Sequence, residues 1–214
     1  EFRRVLFRSN HGWIAKEIQP ILDKENRLLR PANYPAGTPG KGAGLYRLPD
    51  GRKVGVLHVQ GRVFMDAIEN PFHAAKQWAD AVKLGQGAQA MVVDIHAEAT
   101  SEKMAFGQYL DGSVSLVVGS HTHIPTADAQ ILPNGTAYLT DAGMCGCFDS
   151  VIGMKKDEPV RRFVTNMTTE KYEPEKGEAT VCGVMVDTND ITGLAEKIYM
   201  IRYGGRLQES LPPL

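Results

Sequence analysis

Residues 114–123 read VSLVVGSHTH, in which a short apolar run passes directly into two histidines. An apolar run of this length, here residues 114–118, is typical of a strand buried on both faces. Ligands of open α/β sheets bind beyond the carboxyl ends of the strands, which is where His121 and His123 stand. Residues two apart in an extended segment point the same way, so both imidazoles can face one cavity. The stretch therefore predicts an α/β sheet with a ligand site at its edge.

Strands and helices alternate outward from this stretch. The strands are predicted over residues 53–60, 90–95, 114–118 and 137–140, and the helices over 71–84 and 101–110. Asn70 and Pro71 form a good N-cap and first-turn pair for the first of these helices, and Gly85 ends it. This alternation predicts an α/β layered fold.

The two ends of the chain depart from this alternation. A helix is predicted over residues 14–22, and the Pro- and Gly-rich residues 31–51 predict a turn-rich connector. Near the C-terminus, residues 180–186 and 195–202 alternate apolar and polar side chains on either side of a turn signal at 189–190. They predict an antiparallel hairpin at the edge of the sheet.

Composition narrows the class of protein. The chain has 214 residues, 43% of them hydrophobic and 23% charged, which fits one globular domain. No apolar run approaches the roughly 20 residues that span a bilayer, so no membrane partner is expected. The formal net charge of -1 gives no sign of a strong nucleic-acid patch. Three cysteines, an odd number, favour a reducing, cytoplasmic location over a disulfide framework.

Three histidines directly follow predicted strands. His96 follows residues 90–95, and His121 and His123 follow residues 114–118. Imidazole suits zinc, manganese and iron as a ligand. We therefore favour metal binding for His121 and His123, whereas a structural role would explain His96, taken alone, equally well.

Other polar residues allow more than one interpretation. His58, within a strand, and His73, in a first helical turn, are interpreted as structural. Most of the nearby carboxylates are expected to be solvated charges or caps: Asp94, Glu98, Glu102, Asp128 and Asp141. For Asp141 two roles stay open, an acceptor for a ligand histidine or a turn residue. Asn10, beside His11, could add an amide oxygen to a metal site.

Five motifs together resemble a known family. GSHTH at 119–123 is similar to the Gly-x-His-x-His signature of calcineurin-like metallophosphoesterases, and Asn10-His11 resembles their Gly-Asn-His motif. Three longer stretches resemble the bacterial YmdB-like phosphodiesterases: RPANYP at 30–35, DIHAEATSEK at 94–103 and LTDAGM at 139–144. The resemblance runs from about residue 10 to about residue 202, and the ten-residue stretch is its most specific part.

The resemblance implies a fold, an activity and a set of site residues. The fold would be the layered αββα sandwich of calcineurin-like phosphoesterases, with the C-terminal hairpin. The activity would be hydrolysis of nucleoside 2′,3′-cyclic monophosphates, or of other phosphodiesters, at a two-metal site of iron or manganese. By motif, Asn10, His96 and His121 would ligate one metal and His123 the other, with His11 as general acid.

The sequence also departs from the family. The Gly-Asp-x-x-Gly and Asn-Gly-Glu-Asn motifs that complete the family's metal site do not occur in it. Residues 1–9, EFRRVLFRS, are interpreted as a non-native junction, and residues 10–214 as a metallophosphoesterase domain that lacks its N-terminal strands. The alternatives are a catalytically impaired remnant that acts as a metal-binding or regulatory module, a different metallohydrolase such as an amidohydrolase, and a structural-metal protein. A homo-oligomer is compatible with the sequence, which does not decide this point.

Overall fold

The computed structural model of the chain describes residues 7–8 and 18–213. The strands are β1 (Phe7–Arg8), β2 (Leu28–Leu29), β3 (Ala43–Arg47), β4 (Lys53–Gln60), β5 (Ala90–His96), β6 (Leu116–Ser120), β7 (Gln130–Ile131), β8 (Ala137–Leu139), β9 (Val181–Thr188) and β10 (Ala195–Tyr203). The helices are α1 (Gln19–Leu22), α2 (Pro71–Val82), α3 (Thr100–Leu110) and α4 (Asp157–Thr165). Of the helix predicted over residues 14–22, only α1 lies within the described residues.

A six-stranded sheet in the order β3-β4-β5-β6-β8-β7 forms the centre of the fold. Its four inner strands are parallel, and the edge strands β3 and β7 run antiparallel to their neighbours. Parallel pairing brings the carboxyl ends of β5 and β6 side by side, so that His96 lies in register with Ser120. The residues that follow β5 and β6 therefore lie next to each other at the carboxyl edge of the sheet.

The two faces of the sheet are covered differently. Val93 and Ile95 of β5 belong to the core beneath α2 and α3. Val92, which points the other way, packs with Leu116 and Val118 of β6 on the opposite face. The hairpin β9–β10 covers that second face. The described layers are therefore helices, sheet and hairpin.

The position of the hairpin corrects one prediction. The two strands pair with each other and form a separate two-stranded sheet, instead of extending the edge of the central one. Their inward side chains, Val184, Val186, Ile198 and Met200, pack on the apolar face of β6 and β8. Alternation within the two strands predicts that one side is buried but does not say against which surface.

Most of the other predicted elements are confirmed within two residues. The strand over residues 53–60 is β4, and Asn70 caps α2 by accepting a hydrogen bond from the amide of Phe72. The prediction of a connector over residues 31–51 missed β3, because its sequence contains Gly44. A Cβ atom at Gly44 would lie 2.2 Å from the hydroxyl of Tyr46, so the tyrosine ring packs over this glycine inside the strand.

The α/β fold class predicted from the sequence is confirmed by this sheet and its layers. Among the helices of residues 18–213, none combines the length and the apolar character that a membrane span requires.

Candidate metal centre

Two of the predicted metal ligands meet at the carboxyl edge of the sheet. His96 ends β5, and His121 comes directly after β6. The Nε2 of His96 and the Nδ1 of His121 lie 3.0 Å apart. The two rings stand nearly perpendicular, with an angle of 88° between their planes. The parallel register of β5 and β6 therefore converts a sequence separation of 25 residues into direct contact.

A partly buried chain of hydrogen bonds determines which ring nitrogen of His96 carries the proton. The hydroxyl of Ser120 donates to Oδ1 of Asp94 at 3.0 Å, since a carboxylate has no proton to give. The same hydroxyl lies 3.1 Å from Nδ1 of His96. Having given its one proton to Asp94, Ser120 accepts from the Nδ1–H of His96. The assignment rests on this donor and acceptor balance, and it leaves a lone pair on Nε2 of His96.

The second ring nitrogen of His121 faces a carboxylate. Nε2 of His121 lies 2.8 Å from Oε2 of Glu98 in an ion-pair contact. Its Nδ1 lies 3.0 Å from Nε2 of His96, and this contact is a hydrogen bond when His121 carries its proton on Nδ1. In the other tautomer of His121 the two nitrogens present lone pairs to each other, as two ligands of one metal ion do.

The separation of the two nitrogens fits a shared metal ion. The 3.0 Å between the two nitrogens would allow both of them to bind one metal ion. Imidazole is also a suitable ligand for the metals that the sequence suggests. On distance and donor type, His96 and His121 are therefore suited to hold one metal together.

His123 is held separately. Its Nδ1 lies 2.8 Å from the carbonyl oxygen of Ile152, which can only accept, so that Nε2 carries the lone pair of the neutral ring. Within residues 18–213, no three or more His, Cys, Asp or Glu side chains form a group that could hold a metal ion. The structure thus brings His96 and His121 together but does not join His123 to them.

Asn10 and His11, the other two predicted site residues, lie outside the described residues. Their roles as ligand and general acid stay predictions.

The expectation that most nearby carboxylates are solvated is wrong for three of them. Asp94, Glu102 and Asp141 are buried, with exposed fractions of 1%, 8% and 1%. Each has partners within the protein, which burial of a charge requires. Glu102 accepts from the backbone amides of Arg62 and Val63, and Asp141 accepts from that of Thr122.

Asp141 takes the second of its two predicted roles, that of a turn residue. Its Oδ1 accepts from the amide of Gly143, two residues further on, which is the hydrogen bond of an Asx turn. No ring nitrogen of the described histidines is among its hydrogen-bond partners; it binds the backbone between His121 and His123 and pairs with Lys103. The roles of Lys103 and Ser120 could not be predicted from the sequence. Each role depends on a contact between strands or helices that are separate in the sequence.

His58, interpreted as structural, is buried next to the same hydrogen-bond chain. Its Nδ1 lies 2.5 Å from Oδ2 of Asp94, in an ion-pair contact whose angle is not that of a hydrogen bond. Its ring stands edge-on to that of His96, with 6.4 Å between the centroids. His58 thus closes the interior side of the site.

Comparison with known proteins identifies the family. A sequence model of the YmdB-like protein family matches residues 4–201. A 2′,3′-cyclic-nucleotide 2′-phosphodiesterase of Bacillus subtilis is 45% identical over 193 residues, which cover 90% of this chain and 71% of that protein.

Solved structures agree with this result. A hypothetical protein of Thermus thermophilus superimposes with a TM-score of 0.84 at 37% identity, over 94% of this chain and 77% of that one. A novel phosphatase of Mycoplasma pneumoniae superimposes with a TM-score of 0.82 at 31% identity, over 93% of this chain and 72% of that one. The resemblance read from the GSHTH and DIHAEATSEK motifs is confirmed. The chain belongs to the YmdB-like protein family.

Proposed function

We propose that this chain is a metal-dependent phosphodiesterase that acts on nucleoside 2′,3′-cyclic monophosphates or related phosphodiesters. Its family membership and its similarity to a named phosphodiesterase make it a hydrolase. The observation that carries the metal dependence is the pair of imidazole nitrogens of His96 and His121, which face each other at 3.0 Å. The substrate class rests on the name of the Bacillus subtilis relative.

The proposed ligands divide between two metal ions, of iron or manganese. His96 and His121 would hold one of them, with the amide oxygen of Asn10 as a further ligand. His123 would serve the other, which agrees with its separate position and its bond to Ile152. When bound, such ions stabilise negative charge on the phosphate oxygens and make water a stronger acid.

The protein's own residues would orient the substrate and move protons. Attack of water on phosphorus breaks the bond to the ribose 2′ oxygen and leaves a 3′-nucleotide. The departing oxygen needs a proton, and His11, next to the ligand Asn10, would donate it. A positioned general acid of this kind contributes roughly 10²–10⁴-fold to the rate.

The test is hydrolysis of 2′,3′-cyclic AMP with added manganese. This chain is compared with a longer version in which a family segment carrying the Gly-Asp-x-x-Gly and Asn-Gly-Glu-Asn motifs precedes residue 10. We expect activity in the longer version, and loss of that activity in H96A and H121A. H73A is the matched control, because His73 is exposed on α2.

Two outcomes of this test decide the proposal. Activity in the longer version alone would support the proposal and show that the added carboxylates are needed. If neither protein is active although both are folded and bind manganese, the proposal is wrong and a metal-binding or regulatory module is the better description.

A further inference from the structure

The turn that carries His121 and His123 has an unusual backbone. His121 has φ of 116° and His123 has φ of 69°, and both values lie in the region that side chains disfavour. Backbone of this kind persists only where the surroundings hold it in place. The residues that hold this turn therefore determine where the two imidazoles point.

The residue between the two histidines is anchored by a buried carboxylate. The amide of Thr122 donates to Oδ2 of Asp141 at 2.9 Å. The other carboxylate oxygen, Oδ1, accepts from the amide of Gly143 at 2.9 Å. The amide of Met144 in turn donates to the carbonyl of His123 at 2.9 Å. Asp141 thus ties the turn to the segment that follows β8.

Lys103 places a positive charge on the same carboxylate. Its Nζ lies 3.0 Å from Oδ2 of Asp141, and the exposed fractions of the two side chains are 0% and 1%. Lys103 lies on α3, which begins four residues after His96. The ion pair therefore connects the segment that follows His96 with the turn that carries His121.

Gly119 leaves room for this connection. A Cβ atom at Gly119 would lie 1.8 Å from the carbonyl oxygen of Thr140 and 3.0 Å from Cδ of Lys103. The glycine of the GSHTH motif thus lets the lysine side chain pass beneath the end of β6.

We infer that Lys103 and Asp141 are positioning residues for the metal-binding histidines. Asp141 supplies the acceptor that fixes the His121–Thr122–His123 turn, and Lys103 compensates its buried charge. The inference rests on the proposed function, since it concerns the orientation of the proposed ligands. A buried ion pair by itself is weak evidence for stability, so the test must separate orientation from folding.

Two neutral double variants make this separation, K103M/D141N and K103M/D141L. Both remove the two charges, and replacing a buried ion pair with uncharged residues of similar size often preserves folding. They differ in hydrogen bonding, because asparagine keeps one acceptor oxygen, which can serve Thr122 or Gly143, and leucine keeps none. K76M is the control, since it breaks the exposed ion pair between Lys76 and Asp80.

The first measurement uses metal-free protein. Imidazole NMR signals and the exchange rate of the Thr122 amide are compared across the variants, with His73 as internal reference. We expect K103M/D141L to shift the His121 and His123 signals and to raise the Thr122 exchange rate at least about 10-fold, as expected when a protecting hydrogen bond is lost. K103M/D141N, which keeps one of the two acceptor oxygens, should change less. If the two double variants give the same signals and rates, the inference is overturned.

The second measurement is titration with Co²⁺, followed by its visible absorption. Loss of a residue that orients a ligand typically weakens metal binding 10–100-fold. We expect this weakening of Co²⁺ binding in K103M/D141L and at most a few-fold weakening in K103M/D141N. The titrations are carried out at temperatures well below unfolding. If wild-type protein binds no Co²⁺, the assignment of His96 and His121 as a metal-binding pair in this chain fails, whereas the metal-free NMR comparison still decides the role of Asp141.

Discussion

Nε2 of His96 and Nδ1 of His121 face each other at 3.0 Å across the ends of two adjacent parallel strands. Nδ1 of His96 is hydrogen-bonded to Ser120, and Nε2 of His121 lies 2.8 Å from Oε2 of Glu98. These contacts hold the two rings so that Nε2 of His96 and Nδ1 of His121 face each other. In the proposed metal site, such preorganisation would reduce the free-energy cost of binding a metal ion.

Ser120 is expected to control metal affinity through the tautomer of His96. S120A removes the acceptor of the Nδ1–H of His96 and the donor to Asp94. We expect manganese or cobalt affinity to fall about 10–100-fold, with the fold retained. Calorimetric titration of the metal measures this. S101A, an exposed serine on α3, is the control, and equal affinity in both variants would refute the tautomer argument.

His123 is expected to serve one metal of the two. H123A should lower the occupancy of one metal and leave the ion held by His96 and His121 in place. Metal analysis of the purified variant gives the stoichiometry, with H73A for comparison. Equal loss of both ions would contradict the proposed division of ligands.

His11 is expected to donate a proton to the departing ribose oxygen and not to bind a metal ion. In the longer, active version of the protein, H11A should keep its metal content and lose about 10²–10⁴-fold in kcat. Metal analysis and turnover are measured on the same sample. A variant that has lost metal together with activity would identify His11 as a ligand instead.

Gly119 is expected to tolerate no side chain. In G119A the new methyl group would have to displace the Thr140 carbonyl, now 1.8 Å from its position, and overpacking of this kind costs about 1–3 kcal/mol. G183A is a sharp control, because nothing lies within 4 Å of a Cβ atom at that position of β9. Urea unfolding compares the two, and equal stabilities would show that the end of β6 can shift freely.

Alkaline pH is expected to destabilise the protein through Tyr138. Burial raises the pKa of its phenol to about 12, above the ordinary value of about 10 in an unfolded chain. The folded state therefore holds this proton more tightly. Its contribution to stability is complete below pH 10 and is lost as the pH rises from about 10 to about 12, by up to about 2–3 kcal/mol.

Urea unfolding between pH 9 and pH 11.5 measures that loss. Y138F should flatten the pH dependence in this window, although it also removes the hydrogen bond to Thr140. Y203F, at an exposed tyrosine, should leave the slope unchanged. A wild-type stability that does not fall above pH 10 would contradict the expected effect of burial.

The fold could be predicted in large part from local patterns. Buried parallel strands read as continuous apolar runs, and for this reason β4 and β5 were found within one residue of their ends. The hairpin strands were found from their alternation, but the surface that covers them was not. That surface is set by the apolar face of β6 and β8, which no pattern within the hairpin encodes.

For the site, the sequence predicts only those residues that directly follow a strand. His96, His121 and His123 were identified because each follows an apolar run, and the first two indeed meet. Asp94, Ser120 and Lys103 could not be assigned, because their roles depend on register between strands and on a helix that returns across the sheet. A buried aspartate within an apolar run, such as Asp94, is the one local signal that could have pointed to a network.

The contacts among the described site residues join segments that are distant in the sequence. The contact between Lys103 and Asp141 spans 38 residues, and that between His96 and His121 spans 25. Contacts at this separation form only after the loops between them have closed, and the paired strands must offset that loss of entropy. The contact between His96 and His121 therefore exists only in chains whose β5 and β6 have paired in the native register. The NMR signals of these two rings thus report correct assembly of the sheet, independently of activity.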